Sequence, residues 1–157
     1  MEARLNPATA TTASAVNLCR LYWVGPATVA AAVLAVAIVQ RVAVALLHPL
    51  PPAFKFPMLS AEPLLFTAVL VMAAVIVFAV VGDSASDPVR TFRRVALAVL
   101  AFSFAPNVVA AVSWGEGSWR PAAALAMMHV AAWAVTVTML IGLTTVQPVG
   151  HGIRRSA

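Results

Sequence analysis

The stretch from Ala122 to Leu143, AAALAMMHVAAWAVTVTMLIGL, decides the fold. It follows Pro121, carries no Asp, Glu, Lys or Arg, and is long enough to cross the hydrocarbon of a bilayer as one helix. Apolar and polar residues do not alternate in it, which argues against a barrel strand. One residue sits oddly in this run. His129 lies eight residues in from Pro121, about 12 Å along the helix at the usual rise. A polar ring at that depth needs hydrogen-bond partners, because burying an unpaired polar group costs several kcal/mol.

Three more apolar runs precede it. Val24–Leu47 is broken only by Gln40 and Arg41, and Pro63–Val81 and Val95–Val112 carry no charge. The 157-residue chain is 62% hydrophobic and 10% charged, whereas a soluble domain carries about 25% charged residues. A domain this small keeps too much of its surface in contact with solvent to hide that difference, so the fitting solvent is lipid. Helices satisfy their own backbone hydrogen bonds, as lipid requires. The expected fold is therefore all-α, an integral membrane four-helix bundle over residues 20–147, with spans near 24–47, 63–81, 95–112 and 121–146. Residues 1–19, rich in Ala and Thr with no apolar periodicity, read as a disordered tail, and residues 148–157 as a second tail. The first run is too long for a cleaved secretory leader and contains Arg41, so it is expected to remain as the first helix.

The connections are punctuated. HPLPPAFKFP carries four prolines and reads as a loop. In GDSASDP, Ser86 or Asp87 is placed to cap a helix that has Pro88 at its first position. SWGEGSWRP breaks the chain before the last span, and Pro106 should kink the third.

Charge sets the expected orientation. With four crossings, the two tails and the second loop share a side; they hold Arg4, Arg20, Arg90, Arg93, Arg94, Arg154 and Arg155. The other two loops hold Lys55 and Arg120. Positive residues favour the cytoplasmic side, so both termini are expected inside the cell membrane. Arg90, Arg93 and Arg94 are then expected at the membrane surface, with lipid headgroups as partners. Tyr22, Trp23, Trp114 and Trp119 fall at span ends, where aromatic rings settle. The basic residues are scattered between apolar runs instead of clustered on one wet face, which excludes a nucleic-acid binder.

All four spans carry a polar group in the half away from the termini: Arg41, Thr67, Asn107 with Ser103, and His129. Small residues accompany them at helical spacing, as in Ala122–Ala126–His129–Ala132–Thr136 and Ser103–Asn107–Ala110–Ala111, and such stripes mark helix contacts in membranes. Arg41, Thr67, Ser103, Asn107 and His129 are therefore candidate lining residues of a ligand pocket. Glu62 is the carboxylate expected to pair with Arg41. Snorkelling of Arg41 to the headgroups and plain packing of His129 are the competing readings. One cysteine, Cys19, excludes an intrachain disulfide. No metal-ligand spacing, nucleophile motif or phosphate-binding loop is present, so no catalytic residue, metal or cofactor is assigned.

Three segments, QRVAVALLHPLPPAFKFPMLSAEPLLFTAV, DPVRTFRRVALAVLAFSFAP and AMMHVAAWAVTVTMLIGL, carry a resemblance. Its points are Arg41 before a Pro/Phe loop, the P-x-R-T-F of Pro88, Arg90, Thr91 and Phe92, then Pro106, and the Met128–His129 pair. In these the chain resembles the DUF6069 family of small four-helix bacterial membrane proteins. The resemblance implies an integral membrane protein and no particular activity. The expected function is a non-enzymatic membrane protein with a pocket for a small molecule, a lipid or a partner helix. A transporter or channel subunit acting as a homo-oligomer is the alternative.

Overall fold

The computed structural model describes residues 15–50, 52–113, 115 and 118–146. In chain order these form β1 (Ala15–Val16), α1 (Leu18–Leu46), α2 (Pro52–Leu59), α3 (Glu62–Ser84), α4 (Pro88–Ser103), α5 (Ala105–Ser113), α6 (Trp119–Thr144) and β2 (Thr145–Val146). Four stretches are long and apolar enough to cross a membrane: α1, α3, α4 with α5, and α6. Large apolar side chains cover the outside of the bundle. Leu34, Ile38, Leu70, Ile76, Val80 and Phe102 are all more than half exposed. That surface suits a multi-pass membrane protein, since lipid tails, unlike water, favour contact with it.

The first helix starts before the apolar run does. Asn17 caps it, its Oδ1 accepting from the Cys19 N–H at 3.1 Å and the Arg20 N–H at 3.4 Å. Residues 18–23, read from sequence as tail and approach, are therefore helical. Both ends of the described chain meet at one end of the bundle. β1 and β2 pair antiparallel, Ala15 opposite Val146 and Val16 opposite Thr145. The Asn17 N–H donates to the Thr144 carbonyl at 2.9 Å. The tails beyond this clasp, with Arg4, Arg154 and Arg155, lie outside the described residues, as does Trp114.

The buried face of α1 repeats every four residues: Val24, Thr28, Ala32, Val36 and Gln40. It packs chiefly on α6 and α3. A Cβ on Gly25 would stand 3.1 Å from Val75 Cγ1, so α1 and α3 approach closely because Gly25 has no side chain. Two packed clusters result. One holds Val24, Val75, Phe78, Phe92, Val137 and Leu140 near the clasp. The other holds Val36, Ala43, Leu50, Phe54, Met58, Ala111, Ala122 and Met128 toward the opposite end.

The proline-rich connection is not simply a loop. Residues Pro52–Leu59 form α2, because Pro52 occupies its first position, where a missing N–H costs nothing. Phe54 and Met58 are buried, while Lys55, Phe56 and Leu59 are exposed. Gln40 holds this helix. Its Nε2 donates to the Met58 carbonyl at 2.9 Å and to the Ser60 carbonyl at 3.1 Å. These carbonyls lie at the C-terminal end of α2, where a helix has no donors of its own. Replacing Gln40 with Leu should cost about 1–3 kcal/mol by leaving buried acceptors unpaired. Trypsin should then cut after Lys55 several times faster in detergent, and an unchanged cutting rate would contradict the role of Gln40.

The third span divides. Pro106 has no N–H for the carbonyl of Phe102, so the helix breaks at Phe104, whose own N–H turns to Ala101 O at 3.3 Å. Asn107 is buried beside the break and its Nδ2 donates to the Ser103 carbonyl at 3.4 Å. At the start of α4, Asp87 is the cap, accepting from the Arg90 N–H at 3.1 Å. Gly115 takes φ 87°, a backbone region that glycine enters freely.

Candidate functional site

The hydroxyls in the spans are mostly satisfied by their own helices. Thr67 Oγ1 donates to Pro63 O at 2.6 Å, Ser103 Oγ to Leu100 O at 2.7 Å and Thr136 Oγ1 to Ala132 O at 2.7 Å. Thr28 bonds Val24 O at 2.7 Å, and Thr144 bonds the Leu140 carbonyl. Such bonds remove the cost of placing a hydroxyl in an apolar run and spend its proton. His129 differs. No turn of helix offers an imidazole such a partner, and the ring makes no hydrogen bond among the described residues.

His129 lines a cleft of about 550 Å³ between α3, α4 and α6, with Val36 of α1 at its back. The lining is apolar apart from Thr67, Ser103, His129, Trp133 and Thr136, and it includes no charged side chain. Leu70 and Val99, which line it, are 57% and 59% exposed on the flank of the bundle, so the cleft opens sideways. Its size falls in the range of small-molecule sites, roughly 300–1,000 Å³. His129 is half-buried, and its ring nitrogens are not among the fully enclosed unpartnered atoms. They therefore keep some accessible surface, on a residue that lines the cleft. One turn further along α6, Trp133 Nε1 is fully enclosed and has no acceptor.

The sequence-derived candidates separate into two groups. Thr67, Ser103 and His129 come together on the cleft wall. Arg41 and Asn107 are not part of that wall. Asn107 is buried at the α4–α5 break, where it bonds the Ser103 carbonyl. Arg41 is exposed on the flank of α1, with Ala45 beside it also exposed. The reason is angular: the inward stripe of α1 passes through Gln40, and the next residue lies about 100° around the helix. The expected ion pair of Arg41 with Glu62 does not form. Among the described residues the one ion pair is Arg90 Nε with Asp87 Oδ2, at 3.3 Å and well exposed, worth less than about 1 kcal/mol. Arg90, Arg93 and Arg94 are all exposed on the first turns of α4, at the clasp end of the bundle.

Two residues were not singled out by sequence. Gln40 was passed over as an interruption, although the four-residue repeat from Val24 points to it. Trp133 follows His129 by four residues and so shares its face, the one signal that marked it. Among the described residues no group of three or more His, Cys, Asp or Glu side chains could hold a metal ion. No protein-family profile, no curated protein and no solved structure matches this chain.

Proposed function

We propose that this chain is a multi-pass membrane protein that binds a membrane-dissolved ligand in the cleft between α3, α4 and α6. The observation that carries the reading is His129, a ring with donor and acceptor capacity, unpartnered and open to an apolar cleft. A polar group left unpaired in hydrocarbon costs several kcal/mol, so an occupant that hydrogen-bonds to it is favoured. The role is binding: no carboxylate and no second imidazole shares the lining with His129, and the hydroxyls of Thr67, Ser103 and Thr136 donate to backbone carbonyls. The resemblance to the DUF6069 family agrees with a small four-helix membrane protein and adds no activity. Native mass spectrometry of the protein released from mild detergent tests the reading. A retained neutral adduct of a few hundred daltons is expected, lost on His129→Leu; a bare chain in every preparation contradicts it.

We also propose that both termini are cytoplasmic in the cell membrane. The two ends of the described residues meet at the clasp, on the same end of the bundle as Arg20, Arg90, Arg93 and Arg94. Residues on that side are the more positive. Alkaline phosphatase fused after Ala157 should be inactive, and fused at Gly117 active. The opposite pattern would reverse the orientation. In this orientation the three arginines of α4 face anionic headgroups, each adding about 1 kcal/mol of attraction near the surface.

A further inference from the structure

We infer that the cleft selects a neutral ligand carrying a carbonyl oxygen at mid-bilayer depth, held by the nitrogens of His129 and Trp133. This rests on the reading of the cleft as a binding site and specifies what the site takes.

Three observations support it. The first is charge: the lining contains no Asp, Glu, Lys or Arg, so an ionic ligand would be stripped of water with nothing to balance it. The second is the kind of hydrogen-bonding group on offer. The protons of Thr67, Ser103 and Thr136 are already given to backbone carbonyls. What remains unpartnered are the His129 ring and the Trp133 Nε1–H, one turn apart on α6. Indole is a donor only, and imidazole always offers at least one donor. A carbonyl oxygen has two lone pairs and can accept from both. Because the indole nitrogen is enclosed by its neighbours, holding the oxygen requires the ring to turn within its site. The ligand therefore bonds His129 directly and draws Trp133 in.

The third observation is depth. In α6, Trp119–Thr144, His129 and Trp133 fall either side of the middle. At the helical rise both stand about 15 Å or more from each end of the helix. The hydrocarbon of a bilayer is about 30 Å thick, so phospholipid ester carbonyls lie at its edge and do not reach this level. The carbonyl must belong to a molecule dissolved in the bilayer interior, such as a long-chain ketone or a quinone-type ring. The sideways opening past Leu70 and Val99 gives it a route from the lipid.

The test follows the indole N–H signals of the full chain in nanodiscs by proton–nitrogen NMR. There are four tryptophans, and the Trp133 signal is identified by its loss in Trp133→Phe. Three probes of equal chain length are added: 2-undecanone, undecane and ionised undecanoate. The ketone is expected to move the Trp133 proton downfield and saturably. Undecane should perturb cleft methyl signals without that downfield shift, and undecanoate should do neither. His129→Leu should weaken the ketone titration about tenfold, the equivalent of one hydrogen bond of about 1.4 kcal/mol. The same downfield shift with undecane would overturn carbonyl selection while leaving the cleft as a binding site. No perturbation of cleft signals by any probe would overturn both. A downfield Trp133 signal in ester-lipid nanodiscs that is missing in ether-lipid ones would identify the phospholipid ester as the occupant and overturn the depth argument.

Discussion

Phe78→Ala is expected to lower the thermal midpoint of the detergent-solubilised protein more than any other single truncation of the bundle. Phe78 is fully buried, and its ring meets Phe92 edge to face with centroids 4.8 Å apart. The pair joins α3 to α4 within the cluster near the clasp, and Phe92 also forms part of the cleft wall. Truncation removes the packing contacts of a whole ring and leaves a void, a loss of about 3–5 kcal/mol in a close-packed interior. The aromatic contact accounts for about 1 kcal/mol of that. Lipid cannot refill so small a space, so the helices must shift or lose the contacts. Phe78→Leu should recover most of the loss. Phe102→Ala, where the ring is 84% exposed, should cost little and serves as the control. Equal shifts for Phe78→Ala and Phe102→Ala would mean that the α3–α4 contact does not hold the bundle.

His129→Leu should have the opposite profile. Leucine is about as large as the imidazole, and among the described residues the ring has no hydrogen bond to lose. Folding and membrane insertion should therefore be unchanged or slightly improved. Ligand retention should fall about tenfold or more, since one hydrogen bond in an apolar site is worth at least about 1.4 kcal/mol. His129→Phe should lose retention further, because the larger ring occupies cleft volume. His129→Gln, which keeps a donor and an acceptor, should recover part of it. A large drop in stability with His129→Leu, measured as thermal midpoint in detergent, would instead mean that His129 is a packing residue.

The spans were legible because an apolar run of about 20 residues has few other solutions. Their faces were less so. On α1 the eye goes to Arg41, the charge, yet the repeat Val24–Thr28–Ala32–Val36–Gln40 carries the buried stripe and leaves Arg41 outside. A one-residue difference is about 100° on a helix, so the residue that stands out is a poor guide to the face that is buried. On α6, His129, Ala132 and Thr136 of the small-residue stripe line the cleft, while Ala126 does not. The α2 helix was hidden by its prolines; a proline at a first helical position favours a helix as readily as it ends one. The cleft itself could not be read from any run. Its lining comes mainly from α3, α4 and α6, so it belongs to three segments together. Trp133 was hidden for a related reason: an aromatic residue in an apolar run looks like packing until its nitrogen is found without an acceptor.

Photolabelling tests the binding role of the cleft most directly. A long-chain ketone bearing a diazirine, incorporated at low density into bilayers holding the protein, is activated by light and its attachment sites are mapped by peptide mass spectrometry. Label is expected on cleft residues of three separate helices, Leu70 of α3, Val99 of α4 and His129 or Ala132 of α6. It should be competed away by unlabelled 2-undecanone and absent in His129→Phe. Label spread evenly over lipid-facing residues such as Leu34, Ile38 and Phe102, and indifferent to competitor, would contradict a binding site in the cleft.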